Sequence, residues 1–215
     1  MTRGVLISVL ALAGAFGAGC AAADPASFGK GAWSVGVNGG IAFLTMTDVN
    51  DQIRIENFST QSQFEELHQG GEWTADARYA VAKNWFLGVE SGSISGVSHD
   101  KAGTSELRVR GTPVVVQGGG TIDQSGMVAV RGFAALGALV NARFEEPGVG
   151  KVEGTAFMGY VGAELEVRFL GPVALTAQGL ARSAMVSHPE NAPYNVDFSG
   201  GSIRGGVRAT FGGAP

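Results

Sequence analysis

The side chains of this sequence follow a period of two from residue 32 almost to the C-terminal end. Apolar residues alternate with polar or small ones, and successive side chains of a β-strand point to opposite faces. In the cleanest segment, residues 157–169, apolar side chains stand at odd positions, while Glu164 and Glu166 stand at even positions. Eight such segments can be distinguished, and they predict eight strands that each have one apolar face and one charged face.

The composition agrees with a β-rich chain. Glycine supplies 35 of the 215 residues, about twice its usual share of about 7%, and interior glycine costs a helix about 1 kcal/mol relative to alanine. The glycines keep no three-residue period, which excludes collagen. The net charge is −4 and the 15 basic residues are scattered, so the chain lacks the basic footprint of a nucleic-acid-binding protein.

Residues 1–23 have the pattern of a secretory signal peptide. Arg3 precedes an apolar stretch from Val5 to Phe16, and small residues follow up to Ala23,. The stretch is shorter than the roughly 20 residues that span a bilayer. Cleavage after Ala23 would leave a mature chain without cysteine, which therefore cannot rely on disulfides in an oxidising compartment. The alternative is lipidation of Cys20, because residues 17–20 end in the manner of a bacterial lipobox.

The two faces of the strands distinguish two kinds of barrel. A water-soluble barrel points its apolar residues inward, whereas a transmembrane barrel points them outward. The polar face mixes charged residues with many glycines, as a narrow lumen requires. Aromatic residues stand near segment ends on the apolar face, as in the girdles of a membrane barrel: Trp33, Phe43, Trp73, Tyr79, Trp85 and Phe169. A soluble periplasmic barrel that binds a lipophilic ligand is the alternative.

The connections between the segments alternate in length. Three are short: Ala82-Lys83-Asn84, Asp123-Gln124-Ser125-Gly126 and Leu170-Gly171-Pro172. Four are long, at about residues 45–70, 95–106, 145–153 and 186–197. Membrane barrels have short turns at one end and longer loops at the other. The sequence therefore predicts an all-β fold over residues 32–211, an eight-stranded antiparallel up-and-down transmembrane β-barrel with a polar, side-chain-filled lumen, between a short segment at 24–31 and a tail at 212–215.

The fourth segment contains an irregularity. Its apolar residues change parity between Val109 and Val114, on either side of Gly111-Thr112-Pro113. A β-bulge there would explain both the slip and the proline, which a regular interior ladder position disfavours.

With these features the chain resembles the small eight-stranded outer-membrane proteins of Gram-negative bacteria, such as OmpX and the transmembrane domain of OmpA. The resemblance covers roughly residues 30–211 and includes the strand entry Asn84–Glu90 and the last strand, Val207–Phe211, which looks like the aromatic-ending signal read by the barrel-insertion machinery. The family usually ends on that aromatic residue, whereas four residues follow it here. The resemblance implies a location in the outer membrane, with lipid, lipopolysaccharide and the insertion machinery as partners, and a role in envelope integrity, adhesion, or host or phage contact.

Charges inside such a narrow barrel must pair to offset their desolvation. The polar faces supply both signs: Asp76, Glu90, Glu164 and Glu166, with Arg78, Arg131, Arg168, Arg182, Arg204 and Arg208. We therefore expect a structural network that closes the lumen to ions. A paired-carboxylate catalytic role for Glu164 and Glu166 is disfavoured, because they lie among arginines in a site without an entrance.

The sequence predicts no catalytic, cofactor-binding or metal-binding residue. We expect all three histidines, His68, His99 and His188, in the long loops. The run Ser98-His99-Asp100 has the residue types of a catalytic triad, but adjacent residues cannot present the relay geometry. A lipid-modifying enzyme of the lipid A deacylase type is the alternative function; it would show a histidine and a serine on the lipid face of a strand, and no such pair is present.

Three short motifs have structural interpretations. The run Asp48-Val49-Asn50-Asp51 lacks the glycine and the closing glutamate of a calcium loop, which favours an ordinary polar loop. The run Ser62-Gln63-Phe64-Glu65 has the spacing of a capping box and predicts one helical turn through Leu67. The run Gly118-Gly119-Gly120 lacks the lysine and the helix of a phosphate-binding loop, so a bulge or a close approach of strands explains it better.

Overall fold

The computed structural model describes residues 29–60, 63–146, 150–191 and 194–212. The predicted signal peptide, residues 1–23 with Cys20, lies outside the described residues, as do residues 213–215 of the predicted tail.

Eight long antiparallel strands form a closed ring among the described residues, and a ninth strand of two residues lies outside it. The ring strands are β1 (Trp33–Phe43), β2 (Gln69–Ala82), β3 (Trp85–His99), β4 (Glu106–Ser125), β5 (Val128–Glu146), β6 (Gly150–Leu170), β7 (Val173–Val186) and β9 (Gly200–Phe211), and β8 is Val196–Asp197. Helix α1 (Thr47–Thr60) follows β1, and a 3-10 turn (Pro189–Asn191) follows β7. Sequential strands pair from β1 to β7, and β9 closes the ring by pairing with both β7 and β1. The two-residue β8 pairs only with β7. The predicted up-and-down barrel is confirmed.

The strand register sets the width of the barrel. Paired residues lead once around the ring through Trp33, Tyr79, Leu87, Gly118, Ala134, Val161, Ala181 and Gly201. Gly201 lies one position beyond the Ala42–Ser202 pair, level with Phe43, so the circuit advances ten residues along β1. At about 3.3 Å per residue and about 4.8 Å between strands, this stagger gives a tilt of about 40° and a radius of about 8 Å. Side chains alone fill such an interior.

The two ends of the barrel differ as predicted. Two-residue turns close one end, at Lys83-Asn84, Gly126-Met127 and Gly171-Pro172. Gly126 and Gly171 have φ values of 55° and 51°, a region that favours glycine. The other end carries the longer connections and α1. Several strands run further toward that end than predicted, so that β3 extends to His99 and the connection after it shrinks to residues 100–105.

The predicted change of parity in β4 is wrong. Odd-numbered residues of β4 face the interior without interruption from Leu107 to Gly119. The extra residue lies instead in β5, where the register shifts against both neighbours and Asn141 has a φ of 50°. The pattern of β4 misled because the inward-facing residues change along the strand, from the buried polar Gln117 to Leu107 and Val109, which belong to an apolar core.

The helical prediction for the first long connection is also wrong. Residues 63–68 are not helical, and Ser62 lies outside the described residues. The helix forms earlier, at Thr47–Thr60, because Val49 and Ile53 lie one turn apart and bury the same face,. The run Asp48–Asp51 is therefore the first turn of α1 rather than a polar loop, and Asp48 stands at the end where the helix dipole favours an acidic side chain.

Candidate functional site: a charged lumen beneath an apolar cap

The apolar strand faces point outward and the charged faces point inward. Leu165 and Val207 are 43% and 50% exposed, whereas Glu164 and Arg208 are buried. All six predicted girdle residues are exposed on the outer surface. Trp33 contacts Tyr79 at the turn end, and Phe43 stands ten residues along β1, about 25 Å higher for a strand tilted by about 40°. The chain is therefore a transmembrane β-barrel of the outer-membrane type, not a soluble one.

One group of charges fills the half of the lumen next to the turns. This lower cluster consists of Asp76, Glu164 and Glu166 with Arg78, Arg131 and Arg208, all buried. Glu166 pairs with Arg131 and also with Arg168 (3.1 Å), which lies at the edge of the cluster. Asp76 accepts two hydrogen bonds from Arg208, at 2.7 and 3.1 Å. The planar guanidinium matches the carboxylate in this bidentate geometry.

Glu164 is the centre of the lower cluster. Its Oε1 accepts hydrogen bonds from Arg78 Nη1 (2.9 Å) and Arg131 Nη1 (3.3 Å). Its Oε2 accepts from Arg208 Nη2 (3.0 Å) and Gln178 Nε2 (2.7 Å). Donors from four different strands thus converge on one carboxylate, and every neighbouring charge is a cation or already paired. Because each oxygen of this carboxylate already accepts two hydrogen bonds, Glu164 has a structural role here, and neither oxygen is free to act as a general base.

A second group of charges, the upper cluster, lies nearer the loop end. It consists of Glu72, Glu90, Arg182 and Arg204, all buried. Arg204 pairs with Glu90 (3.0 Å) and with Glu72 (2.5 Å), and Arg182 Nη1 donates to Glu72 (3.1 Å). Every predicted lumen charge lies in these two clusters or at their edge. The sequence prediction missed Glu72, although it has the same parity as Asp76 and Arg78 and could have been found by extending that alternation upward.

The glycines on the polar face make room for these charges. A Cβ at Gly36 would lie 3.0 Å from Asp76 Oδ1 and 3.2 Å from Arg208 Nη2. At Gly119 a Cβ would meet the Gly132 carbonyl at 2.4 Å, which confirms the close approach of strands predicted for the glycine run. Gly36 therefore makes room for the Asp76–Arg208 pair, and Gly119 makes room for the neighbouring backbone.

Above the upper cluster the interior becomes apolar. This apolar cap consists of buried side chains from the strand ends, from α1 and from the long connections: Leu44, Met46, Val49, Ile53, Phe64, Leu67, Ile94, Leu107, Val109, Leu139, Phe144, Met158, Val186, Val196 and Phe198. Arg182 Nε donates to the Phe198 carbonyl (3.0 Å), which joins the upper cluster to the cap. The cap seals the loop end of the lumen with packed hydrocarbon.

Polar side chains fix α1 over this end. Asn50 accepts a hydrogen bond from the Leu67 amide (2.7 Å) and donates to its carbonyl (3.2 Å). Asn57 makes the same pair with Phe64, at 2.7 and 2.8 Å. The seven-residue spacing places both asparagines on one face of the helix. The returning chain from residue 64 to 67 is thereby bound to α1 through its backbone, so helix and return segment form one lid.

Outside the lumen, the candidate chemical motifs are dispersed. His99 is the last residue of β3, not a loop residue, and its Nε2 lies 3.1 Å from Glu106 Oε1. Ser98 points inward and donates to the Glu65 carbonyl. Asp100 accepts from the Thr104 hydroxyl and amide, and the hydroxyl in particular holds its pKa below the usual range. Serine, histidine and aspartate thus point in different directions, and no relay forms.

The other two histidines lie in connections, as predicted, and His68 Nε2 is 3.0 Å from Glu66. Within the described residues, no three His, Cys, Asp or Glu side chains are grouped so that they could hold a metal ion. In that same part of the chain, no helix is long and apolar enough to cross a membrane.

Comparisons with known proteins give structural similarities only. No protein-family model and no curated protein matches the chain. The chain is similar to the outer membrane protein OprG from Pseudomonas aeruginosa, with 9% identity over 89% of this chain and 100% of that chain and a TM-score of 0.46. It is similar to Ail, the attachment invasion locus protein of Yersinia pestis, solved with the heparin analogue sucrose octasulfate, with 12% identity, coverages of 85% and 99% and a TM-score of 0.49. A major outer membrane protein from Thermus thermophilus has 10% identity, coverages of 83% and 99% and a TM-score of 0.43.

Proposed function

We propose that this protein is a closed barrel of the bacterial outer membrane that acts as a structural and surface-contact element, not as a pore or an enzyme. The observation that carries the proposal is the pair of seals inside one ring of strands. The charge clusters fill the lower lumen, and the apolar cap fills the loop end. Ions would have to break paired charges and then cross packed hydrocarbon, and both steps are costly.

The outer end of the barrel presents a rigid surface for contact. On α1, the side chains that do not face the cap include Ile55 and Phe58, which are 60% and 92% exposed. Ile55 and Phe58 are three residues apart on the helix and so lie side by side, and contiguous exposed apolar surface of this kind marks contact sites. Loops positioned by a rigid scaffold carry recognition in many folds, which supports adhesion or host or phage contact at this end.

Conductance measurements test the closed lumen. The full chain, inserted into a planar bilayer, is expected to show no steady channel current, while a known open porin in the same bilayer conducts. Heat-modifiable migration in detergent gels is the control for folding. A stable, large single-channel current from the folded protein would contradict the proposal.

A second measurement addresses the enzymatic alternative. Lipid A from cells with and without the protein is compared by mass spectrometry, and the proposal expects identical acylation and phosphorylation. Loss of an acyl chain only in cells that carry the protein would instead identify a lipid-modifying enzyme. Separation of the membranes tests the location: the protein is expected in the outer-membrane fraction and should resist extraction by carbonate.

A further inference from the structure

We propose that the outer surface of the barrel, at the loop ends of β3, β4 and β5, binds a phosphate group of a lipopolysaccharide molecule in the surrounding leaflet. The proposed phosphate site consists of Arg110 and Arg143 with Ser95. This inference rests on the proposed location in the outer membrane and assigns one lipid contact to named residues.

The three residues form one row across neighbouring strands. Ser95 is the register partner of Arg110, and Arg110 is the register partner of Arg143. All three point away from the interior, because the residues on either side of Arg110, Val109 and Gly111, are buried. Alternation groups these arginines with the charged strand faces, which point inward lower in the barrel. At this height the interior belongs to the apolar cap, so the arginines lie outside.

The height of the site matches the headgroup layer of a membrane. Val114 is an exposed apolar side chain on the outer face of β4, and Arg110 lies four residues beyond it, about 10 Å higher along the barrel axis for a strand tilted by about 40°,. The interfacial layer on each side of the hydrocarbon core is about 5–8 Å thick. Phe157 is two strands away from Val114 in the same register row. Because a register row climbs about 3 Å per strand at this tilt, Phe157 lies about 6 Å above Val114 and about 4 Å below Arg110, and it marks the upper edge of the apolar band. The guanidinium groups therefore begin where hydrocarbon gives way to charged headgroups.

The charges of the site call for an anion. Like charges directly opposite each other on paired strands are destabilising, and Arg110 faces Arg143 in this way. Arg143 has an acidic partner, Glu153, at 2.7 Å. Arg110 has no ion-pair partner among the residues whose side chains the structure describes. A phosphate between the two guanidinium groups would replace the repulsion with charge-assisted hydrogen bonds, to which the Ser95 hydroxyl can add a donor.

The surroundings favour a lipid phosphate over a soluble one. Directly below the site lies the apolar outer wall, including Val114 and Leu136, where acyl chains pack. Among the described strands, the outward-facing cations near the loop end lie on one side, on β4, β5 and β6: Arg108, Arg110, Arg143 and Lys151. Arg108 is paired with Glu106. Arg143 and Lys151 share Glu153. Arg110 is therefore the cation of this group that a phosphate would neutralise. An anionic headgroup with acyl chains beneath it satisfies both features of this side.

Native mass spectrometry of the folded, detergent-released full chain tests the site. Three probes are used: phosphorylated lipopolysaccharide, the same glycolipid after enzymatic removal of its phosphates, and inorganic phosphate. We expect the native barrel to retain the phosphorylated glycolipid about tenfold more than the dephosphorylated one, the effect of one charge-assisted hydrogen bond. R110Q is expected to lose most of this preference. The matched control K101Q, which removes a cation from the exposed turn at residues 100–105, is expected to keep it.

Equal retention of the two glycolipids by the native barrel would overturn the proposal, as would an undiminished preference in R110Q that still migrates as a folded barrel. Displacement of the glycolipid by an equal concentration of inorganic phosphate would overturn the assignment to lipid. These outcomes are distinct from a failure of the proposed function, which would appear as channel current or as loss from the outer-membrane fraction in the native protein.

Discussion

The lower lumen and the apolar cap fill the same ring of strands with opposite chemistry. Where the outer wall faces hydrocarbon, the interior holds five buried carboxylates and five buried arginines, which balance in charge. Above the apolar band, toward the loop end, the outer surface carries charges such as Arg108 and Glu106, and the interior is apolar. One continuous β4 takes part in both zones without a change of register parity. The interior is thus charged where the outer surface faces hydrocarbon, and apolar where the outer surface faces water.

This difference sets how each zone contributes to stability. In the lower cluster each charge is stabilised only while its partners stay within hydrogen-bond distance, since buried ions cost several kcal/mol each when unpaired. In the cap, packing contributes in proportion to buried area and tolerates substitutions of similar volume. The lumen should therefore respond to the loss of a single charge, and the cap to the loss of volume.

Neutralising Glu164 is expected to produce the largest effect. The change E164Q keeps the side-chain volume but leaves Arg78, Arg131 and Arg208 without their shared counter-charge. We expect a loss of about 3–5 kcal/mol in the free energy of unfolding, the range for breaking a buried ion pair, measured by urea unfolding from lipid vesicles. E153Q, which neutralises a carboxylate on the outer surface, should change it by less than about 1 kcal/mol. Similar losses in the two variants would remove the distinction between lumen and surface.

Truncation of Leu139 tests the cap in the same assay. Leu139 is fully buried, and L139A is expected to cost about 3 kcal/mol through lost transfer energy and the cavity left behind. L139M conserves the volume and should cost less than about 1.5 kcal/mol. An equal loss of unfolding free energy in L139A and L139M would show that the cap does not respond to lost volume, and would contradict the contrast with the lumen.

The sequence reveals the strands and most of the lumen because a period of two survives in every barrel strand. Glu164 and Glu166 were placed correctly, since their neighbours Leu165 and Val167 are apolar throughout a single zone. The same rule does not locate Arg110 and Arg143, which lie on the outer surface. Alternation tells which residues share a face, but it does not tell where along the strand the interior changes from polar to apolar. That boundary depends on how far the ring extends above the membrane band, which is a property of all eight strands together.

Helix α1 was missed for a different physical reason. The segment Thr47–Thr60 is polar on most of its surface, and only Val49 and Ile53 mark a buried face. A helix with so narrow an apolar stripe is held by tertiary contacts rather than by intrinsic propensity. The decisive contacts, from Asn50 and Asn57 to the returning backbone, form only when the connection between β1 and β2 folds back on itself, and the residue pattern of the helix does not reveal that.

Loosening the lid should affect the cap locally and leave the lumen intact. In N50A the backbone amide and carbonyl of Leu67 lose their partners in a buried site, which costs about 1–3 kcal/mol. We expect faster hydrogen exchange and faster proteolysis within residues 47–68, with unchanged exchange in β6 and β7. I55A alters an exposed side chain of the same helix and serves as the control. Faster exchange throughout the barrel would show that lid and lumen unfold as one unit.

The smallest effect is expected at the surface of the lid, where Arg54 donates to both carboxylate oxygens of Glu66 at 2.8 and 3.2 Å. These hydrogen bonds hold the pKa of Glu66 below its usual value. Because the folded pKa is lowered, the stabilisation from this pair is present above the ordinary carboxylate pKa of about 4.3 and is lost as the pH falls through the lower folded value. R54Q should return the pKa of Glu66 toward its usual value in an NMR titration.

Salt should weaken this exposed ion pair but leave the buried charges of the lumen unaffected. Around 1 M salt the screening length falls to about 3 Å, so the pKa of Glu66 in the native protein should rise toward its usual value even without a mutation. The side chains of Arg208 and Asp76 are fully buried, and buried pairs are screened much less than exposed ones, so we expect the extra destabilisation caused by E164Q to be unchanged by the same salt. If salt relieved the E164Q defect, ions would be entering the lower lumen, and the barrel would be open to the side of the turns.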